Sequence, residues 1–271
     1  MLAAGEATRQ GAPSRRRDLL AVVGLVGLGY LVMAAAADRS GMTVVPAFLL
    51  LTLPPVSYLA WRARQPWRRI TVGVVTFGLV YGLFWELVQE SAHSYSVTAH
   101  VFPRLLGLVP PDSLIAHMLM TLLTLTFYEH FARPRVGPSP GREVHGLTLG
   151  LAAVAVTVTL HLLAPAWLDF SYSYAWLGTL AVAPPLLLAW RRPAWLRELM
   201  WVVPFFFGLY LALEVVAVTQ GWWVYPADRY LGWVTVGGVT FPFEELFFWM
   251  ILYAPALVSY YEIFVISPQD R

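Results

Sequence analysis

Cysteine and lysine are both absent: all 18 basic residues are arginine. Without cysteine the chain has no disulfide, no thiolate metal site and no cysteine nucleophile, and its redox compartment cannot be read. Charge of either sign is scarce, at 13% of residues. No Gly-x-Ser-x-Gly elbow occurs, and no Gly-x-Gly-x-x-Gly follows a strand, so neither serine-hydrolase nor dinucleotide-binding chemistry is indicated. The net charge is only +2 and the arginines sit in short clusters, which does not fit a nucleic-acid partner. What is abundant is apolar surface: 58% of residues are hydrophobic. That composition describes an all-α polytopic membrane protein whose first partner is the lipid bilayer.

Eight apolar spans stand out, at 19–37, 42–61, 70–91, 113–132, 146–164, 174–190, 198–219 and 243–265. Each is about long enough to cross a ~30 Å hydrocarbon core at 1.5 Å per residue. Pro54-Pro55 and Pro184-Pro185 fall inside two of them and predict kinked helices. Arginine placement tests the count. With the segment 1–18 as a cytoplasmic tail, 15 arginines fall inside and three, Arg39, Arg104 and Arg229, fall outside. A miscounted span would scramble that alternation, so the positive-inside rule predicts eight spans with both termini in the cytoplasm.

The chain also echoes itself at an offset near 130 residues. PPVSYLAWRARQPWRR at 54–69 returns as PPLLLAWRRPAWLR at 184–197, and FGLVYGLFWELV at 77–88 returns as FGLYLALEVV at 207–216, which lays Glu86 over Glu214. VPPDSLIAHM at 109–118 answers TFPFEELFFWM at 240–250, and the last helix of each half ends alike, in FYEHF at 127–131 and YYEIF at 260–264. The expected organisation is two parallel four-helix repeats, 19–132 and 146–266, joined by a cytoplasmic linker at 133–145. An even number of spans per copy sets the pseudo-twofold axis along the membrane normal, and a site belongs at the interface of the copies.

Carboxyls inside apolar spans are expensive, at ~3 kcal/mol near the bilayer centre on insertion scales, so each needs a job or a partner. Most of them lie toward the outer ends of their spans. Glu86, Glu90 and His93 are spaced for one helix face; Asp112 opens the fourth span with His117 little more than a turn deeper; Glu214 ends the seventh; Glu244 and Glu245 open the eighth. Packed face to face, the two halves would gather these acids round one outer-leaflet cavity rimmed by Trp222, Trp223, Tyr225 and Trp233. Neighbouring carboxyls in low dielectric share a proton rather than both ionise, which provides an acid and a base together.

Plainer roles compete. An acid at a helix start can cap free N–H groups and sit well in the helix dipole, which would account for Glu244 or Glu245 alone. Glu129 and Glu262, at helix ends near arginines, fit structural pairing better than catalysis. Trp222 and Trp223 fit an interfacial belt as well as a cavity wall, and Trp61, Trp67, Trp190 and Trp195 fit the belt. Glu90 and His93 have a Glu-x-x-His spacing used by di-iron bundles, with Glu86 and His117 as further candidate ligands, but the second half has no matching pair.

The second half, about 172–265, resembles the membrane lycopene cyclase domain of bacterial heterodimeric carotenoid cyclases and of fused archaeal and fungal forms. The resemblance rests on the Pro-Pro-Leu-Leu-Leu helix, Glu214, Gly221-Trp222-Trp223-Val224-Tyr225-Pro226, Gly238, Pro242-Phe243-Glu244-Glu245 with Phe247-Phe248, and Tyr261-Glu262. The first half resembles the domain only through the repeat, and its Pro110-Pro111-Asp112-Ser113 keeps one acid of the signature. The resemblance implies a bacterial inner-membrane enzyme of carotenoid biosynthesis, an intramolecular lyase or isomerase that closes a ring at the end of an apolar polyene. It implies no cofactor and no metal, and it makes other carotenoid-biosynthesis proteins candidate partners. It carries the acid/base pair onto Glu244 and Glu245, with Glu214, Glu86 and Asp112 in support and Trp222, Trp223, Tyr225, Phe247 and Phe248 as substrate-binding aromatics. A metal-dependent lipid- or carotenoid-modifying enzyme and a non-catalytic carotenoid-binding subunit stand as alternatives.

Overall fold

The computed structural model describes residues 15–132, 143–190, 199–200, 202–226 and 229–265. Residues 1–14, 133–142, 191–198 (with Trp195), 201, 227–228 and 266–271 lie outside the described residues. Long helices dominate: α1 Arg15–Ser40, α2 Val44–Arg62, α3 Trp67–Ser91, α4 Pro111–Phe131, α5 Glu143–Leu163, α6 Ser173–Trp190, α7 Val202–Thr219 and α8 Glu245–Phe264. Six of them, α1, α2, α3, α5, α7 and α8, are long and apolar enough to cross a membrane. The chain is therefore an all-α, multi-pass membrane protein. The Pro54-Pro55 and Pro184-Pro185 pairs lie inside helices that run on past them. Each proline removes one backbone donor, a loss a packed bundle tolerates.

α4 is the most enclosed rod. It packs between α2 and α3, while α8 packs against α6 and α7; α4 and α8 meet each other, α5 lies on α3, and α1 rests on α2 and α7. The core is aromatic. Phe127 of α4 stacks on Phe205 at 4.5 Å, and Tyr128, Tyr210 and Tyr261 are fully buried. Two hydrogen bonds cross the α4–α8 contact: Tyr128 Oη donates to Glu262 at 3.0 Å, and Tyr261 Oη donates to Glu129 at 2.7 Å. Near this end Asp18 of α1 is fully buried and receives Arg62 at 2.7 Å, Tyr58 at 2.8 Å and His130 at 3.1 Å.

The other end of the bundle is closed by loops. α3 and α7 terminate in the same way. Ser94 N–H returns to Gln89 O and His93 N–H to Glu90 O; Trp222 N–H returns to Ala217 O and Gly221 N–H to Val218 O. These are Schellman closures, which need a left-handed residue one past the cap. His93 (φ 54°) and Gly221 (φ 64°) supply it. The chains leaving those caps then pair with each other: β1 Ser96–Val97 runs antiparallel to β2 Trp223–Val224. A hairpin, β3 Trp233–Val236 and β4 Val239–Pro242, turns through Gly237-Gly238, both with positive φ, as a two-residue loop of this twist requires.

Two helices carry π segments, Val74–Val80 in α3 and Glu245–Leu252 in α8. A π turn holds one more residue than an α turn and bulges the backbone, often at functional sites. In α3 the bulge holds Gly78, where a Cβ would lie 2.8 Å from Met118 Cα and 3.2 Å from His117 O. The backbones of α3 and α4 touch there, with no flexible side chain to yield. Gly78→Ala is expected to destabilise the folded protein by about 1–3 kcal/mol, read as a lower unfolding midpoint in detergent; an unchanged midpoint would show that the two helices can part freely.

Candidate functional site

The loop-covered end of the bundle encloses a cavity of about 40 Å³. Its walls come from α2 (Val44, Phe48), α3 (Trp85, Glu86), the loop after α3 (Tyr95, Val97) and α4 (Ser113, Ala116, His117). Tyr174 of α6, Trp223, and Glu245 and Trp249 of α8 close it. Aromatic and apolar side chains predominate, and two carboxyls face the space from opposite halves of the chain.

The first pole is Glu86. It is 1% exposed, and its Oε1 lies 3.0 Å from His117 Nε2. The imidazole stands edge-on to Trp249 at 5.3 Å. It fits against α3 because position 82 is glycine, where a Cβ would come within 3.1 Å of His117 Cβ. The second pole is Glu245, which receives the Tyr174 hydroxyl. Beside it Glu214 accepts Trp223 Nε1 at 3.2 Å and the Tyr225 hydroxyl at 2.8 Å. One phenol has one proton to donate. Each carboxyl therefore has a phenol of its own, Tyr225 on Glu214 and Tyr174 on Glu245.

The phenols in the covering loops register how closely the acids converge. Burial holds Tyr95 well above the ordinary tyrosine range, and Glu86, Glu245, Glu214 and Glu90 each push it further. Tyr225 is raised by burial and then by Glu214 and Glu245. Both remain protonated donors at neutral pH.

The neighbouring acids do different work. Asp112 accepts Val101 N–H at 2.9 Å and Phe102 N–H at 3.1 Å, which ties the loop after α3 to the start of α4. Glu244 does the same for the second half, accepting Leu231 N–H at 2.7 Å. Glu244 and Asp112 are not among the cavity-lining residues; Glu245 and Glu86 are. Adjacent residues at a helix start point about 100° apart, so one of the pair turns to the loop when the other turns to the cavity. Glu90 is paired with Arg104 at 2.8 Å. The same guanidinium bonds Ser96 Oγ, Val97 O and Leu108 O, and it holds the loop over the cavity.

Among the aromatics expected at the site, Trp223 lines the cavity and Tyr225 binds Glu214. Trp222 is buried outside the lining, with its carbonyl accepting Thr98 and Ala99 N–H. Trp233 is 50% exposed on the hairpin, Phe247 is 39% exposed, and Phe248 packs on Gly178. The Glu-x-x-His ligand set is not assembled: Glu90 is engaged by Arg104 and His93 is the exposed residue of a helix cap. Among the described residues no three His, Asp or Glu side chains come together as metal ligands. Sequence reasoning missed Tyr174 as the partner of Glu245 and Arg104 as the loop's anchor. A signal existed for Arg104, an arginine on the unfavoured side of the charge alternation, which needs a partner to be tolerated there.

The chain matches no family model, and neither a curated protein nor a solved structure is significantly similar to it.

His93 occupies a left-handed position that favours glycine. His93→Gly should stabilise the protein by about 1 kcal/mol, seen as a higher midpoint of thermal unfolding in detergent; a lower midpoint would mean that the imidazole makes a contact worth more than the strain.

Proposed function

We propose that the protein is a cofactor-free carotenoid cyclase of the lycopene type, an isomerase of carotenoid biosynthesis in a bacterial inner membrane. The observation that carries this reading is an aromatic-walled cavity, inside an apolar bundle, with hydrogen-bonded carboxyl poles from both halves of the chain. Ring closure of a polyene end needs little else. An acid protonates the terminal double bond, an internal double bond attacks the cation and closes the ring, and a base removes a proton. Glu245 is the donor in this scheme, held in place by the Tyr174 hydroxyl. Trp85, Trp223, Trp249 and Tyr95 face the cation, at ~0.5–2 kcal/mol for each well-placed ring. Glu244 and Asp112 anchor the covering loops. The cavity takes a few waters rather than a six-membered ring, so substrate admission requires the aromatic walls to part.

The same reading gives the chain eight membrane crossings as two parallel four-helix copies, with both ends in the cytoplasm. Four reciprocities support it. The Tyr128–Glu262 and Tyr261–Glu129 bonds exchange under the repeat. The caps at His93 and Gly221 are of one kind, and Ser96 pairs with Val224, its own counterpart at the Glu86-to-Glu214 offset. The α3–α5 contact is likewise matched by α7–α1.

Expression in a lycopene-accumulating bacterium, with pigments separated by chromatography, tests the function. The wild type should give a ring-containing product. Glu245→Gln should lower its rate at least about 100-fold, the usual worth of a positioned acid, while Glu244→Gln keeps most of it. Unchanged lycopene with the protein folded in the membrane would overturn the catalytic reading, and co-purifying unchanged pigment would identify a binding protein instead.

A further inference from the structure

A cyclisation needs a base as well as an acid, and the adjacent Glu244 is turned away from the cavity. Among the described residues, two buried carboxyl oxygens lack any hydrogen-bond partner: Oε2 of Glu244 and Oε2 of Glu86. Of these two residues only Glu86 lines the cavity. Its other oxygen is held by His117 at 3.0 Å, and His117 is itself fixed between Trp249 and the bare backbone at Gly82. One oxygen of the carboxylate is thus oriented and the other has no hydrogen-bond partner, in a residue that lines the same cavity as Tyr174 and Glu245.

Resting on the cyclase reading, we infer that Glu86 Oε2 is the proton acceptor that ends the reaction and that His117 is its positioning residue. The step balances without a co-reactant. A C–H bond next to the ring cation breaks, its electron pair becomes the ring double bond, and the proton passes to Glu86 Oε2. Since Glu245 has given one proton to the polyene, the reaction is a net isomerisation, and the proton on Glu86 returns to the donor pole or to solvent before the next turnover. His117 Nε2–H donates to Oε1 and keeps the carboxylate aimed while the cation forms. A base placed at one point also decides which C–H is lost. It therefore sets which double-bond isomer of the ring emerges, a property distinct from the rate. Donor and acceptor come from different halves of the chain, so neither half holds a complete site.

The test reads the product ratio as well as the yield in the lycopene-accumulating host. For Glu86→Gln the expected result is a turnover at least about 100-fold lower. The residual product should shift to other ring isomers or to the tertiary alcohol formed when water captures the cation. His117→Leu should shift the ratio in the same direction. His117→Gln keeps an N–H near Glu86 Oε1 and should restore the wild-type ratio at reduced rate. A wild-type ratio at the wild-type rate in Glu86→Gln overturns the proposal and leaves the cyclase reading standing. If Glu86→Gln does not accumulate in the membrane, the histidine pair decides, and identical ratios in His117→Leu and His117→Gln overturn it. No ring product from the wild type removes the cyclase reading, and this assignment with it.

Discussion

A carboxyl taken into an apolar bundle must be answered by a donor, because the uncompensated charge costs several kcal/mol. The architecture follows from meeting that demand repeatedly. At one end Asp18 ties α1 to α2 and α4 through Arg62, Tyr58 and His130, and Glu129 and Glu262 tie α4 to α8 through tyrosines. At the other end Glu90 draws in Arg104, and Asp112 and Glu244 draw in loop backbone. The polar groups set which helices meet and at what height, while apolar packing fills the space between.

Much of this was legible in the sequence. Hydropathy located the long helices to within a few residues, and the positions of Glu86, Glu214 and Glu245 at matching ends of their spans foretold that they would meet. The division of labour between Glu244 and Glu245 was also written there, in the rule that neighbours on a helix face apart, but adjacency of two acids suggested a pair. Glu90 and His93 misled for a related reason. Their spacing is that of one helix face only if the helix continues, and α3 ends at Ser91. The His117–Glu86 contact lay beyond sequence reasoning because it depends on how close α3 and α4 come, which Gly78 and Gly82 determine.

The two halves, read as copies, differ where the chemistry differs. α4 begins with one acid and then Ser113 on the cavity wall; α8 places Glu245 on that wall. Between the head and foot of α8 the repeat offset moves from 132 (Asp112 to Glu244) to 133 (Tyr128 to Tyr261), and the π segment takes up that one residue. A one-residue insertion could therefore alter the cavity end of α8 while the tyrosine–glutamate crossing at its other end kept its register.

The pairing of Ser96–Val97 with Trp223–Val224 bears on how the molecule comes into being. The first strand leaves the ribosome well before the second, with a delay on the order of ten seconds at ordinary elongation rates. Throughout that interval the nascent first half sits in the bilayer with the edge of its strand unpaired and Glu86 unroofed. Its acids have no opposing wall, and its helices have nothing to fix their tilt. The polar groups that complete the mature protein are then a liability during biogenesis, and a chain interrupted after the first half would present an open acidic notch to lipid, a natural mark for membrane quality control.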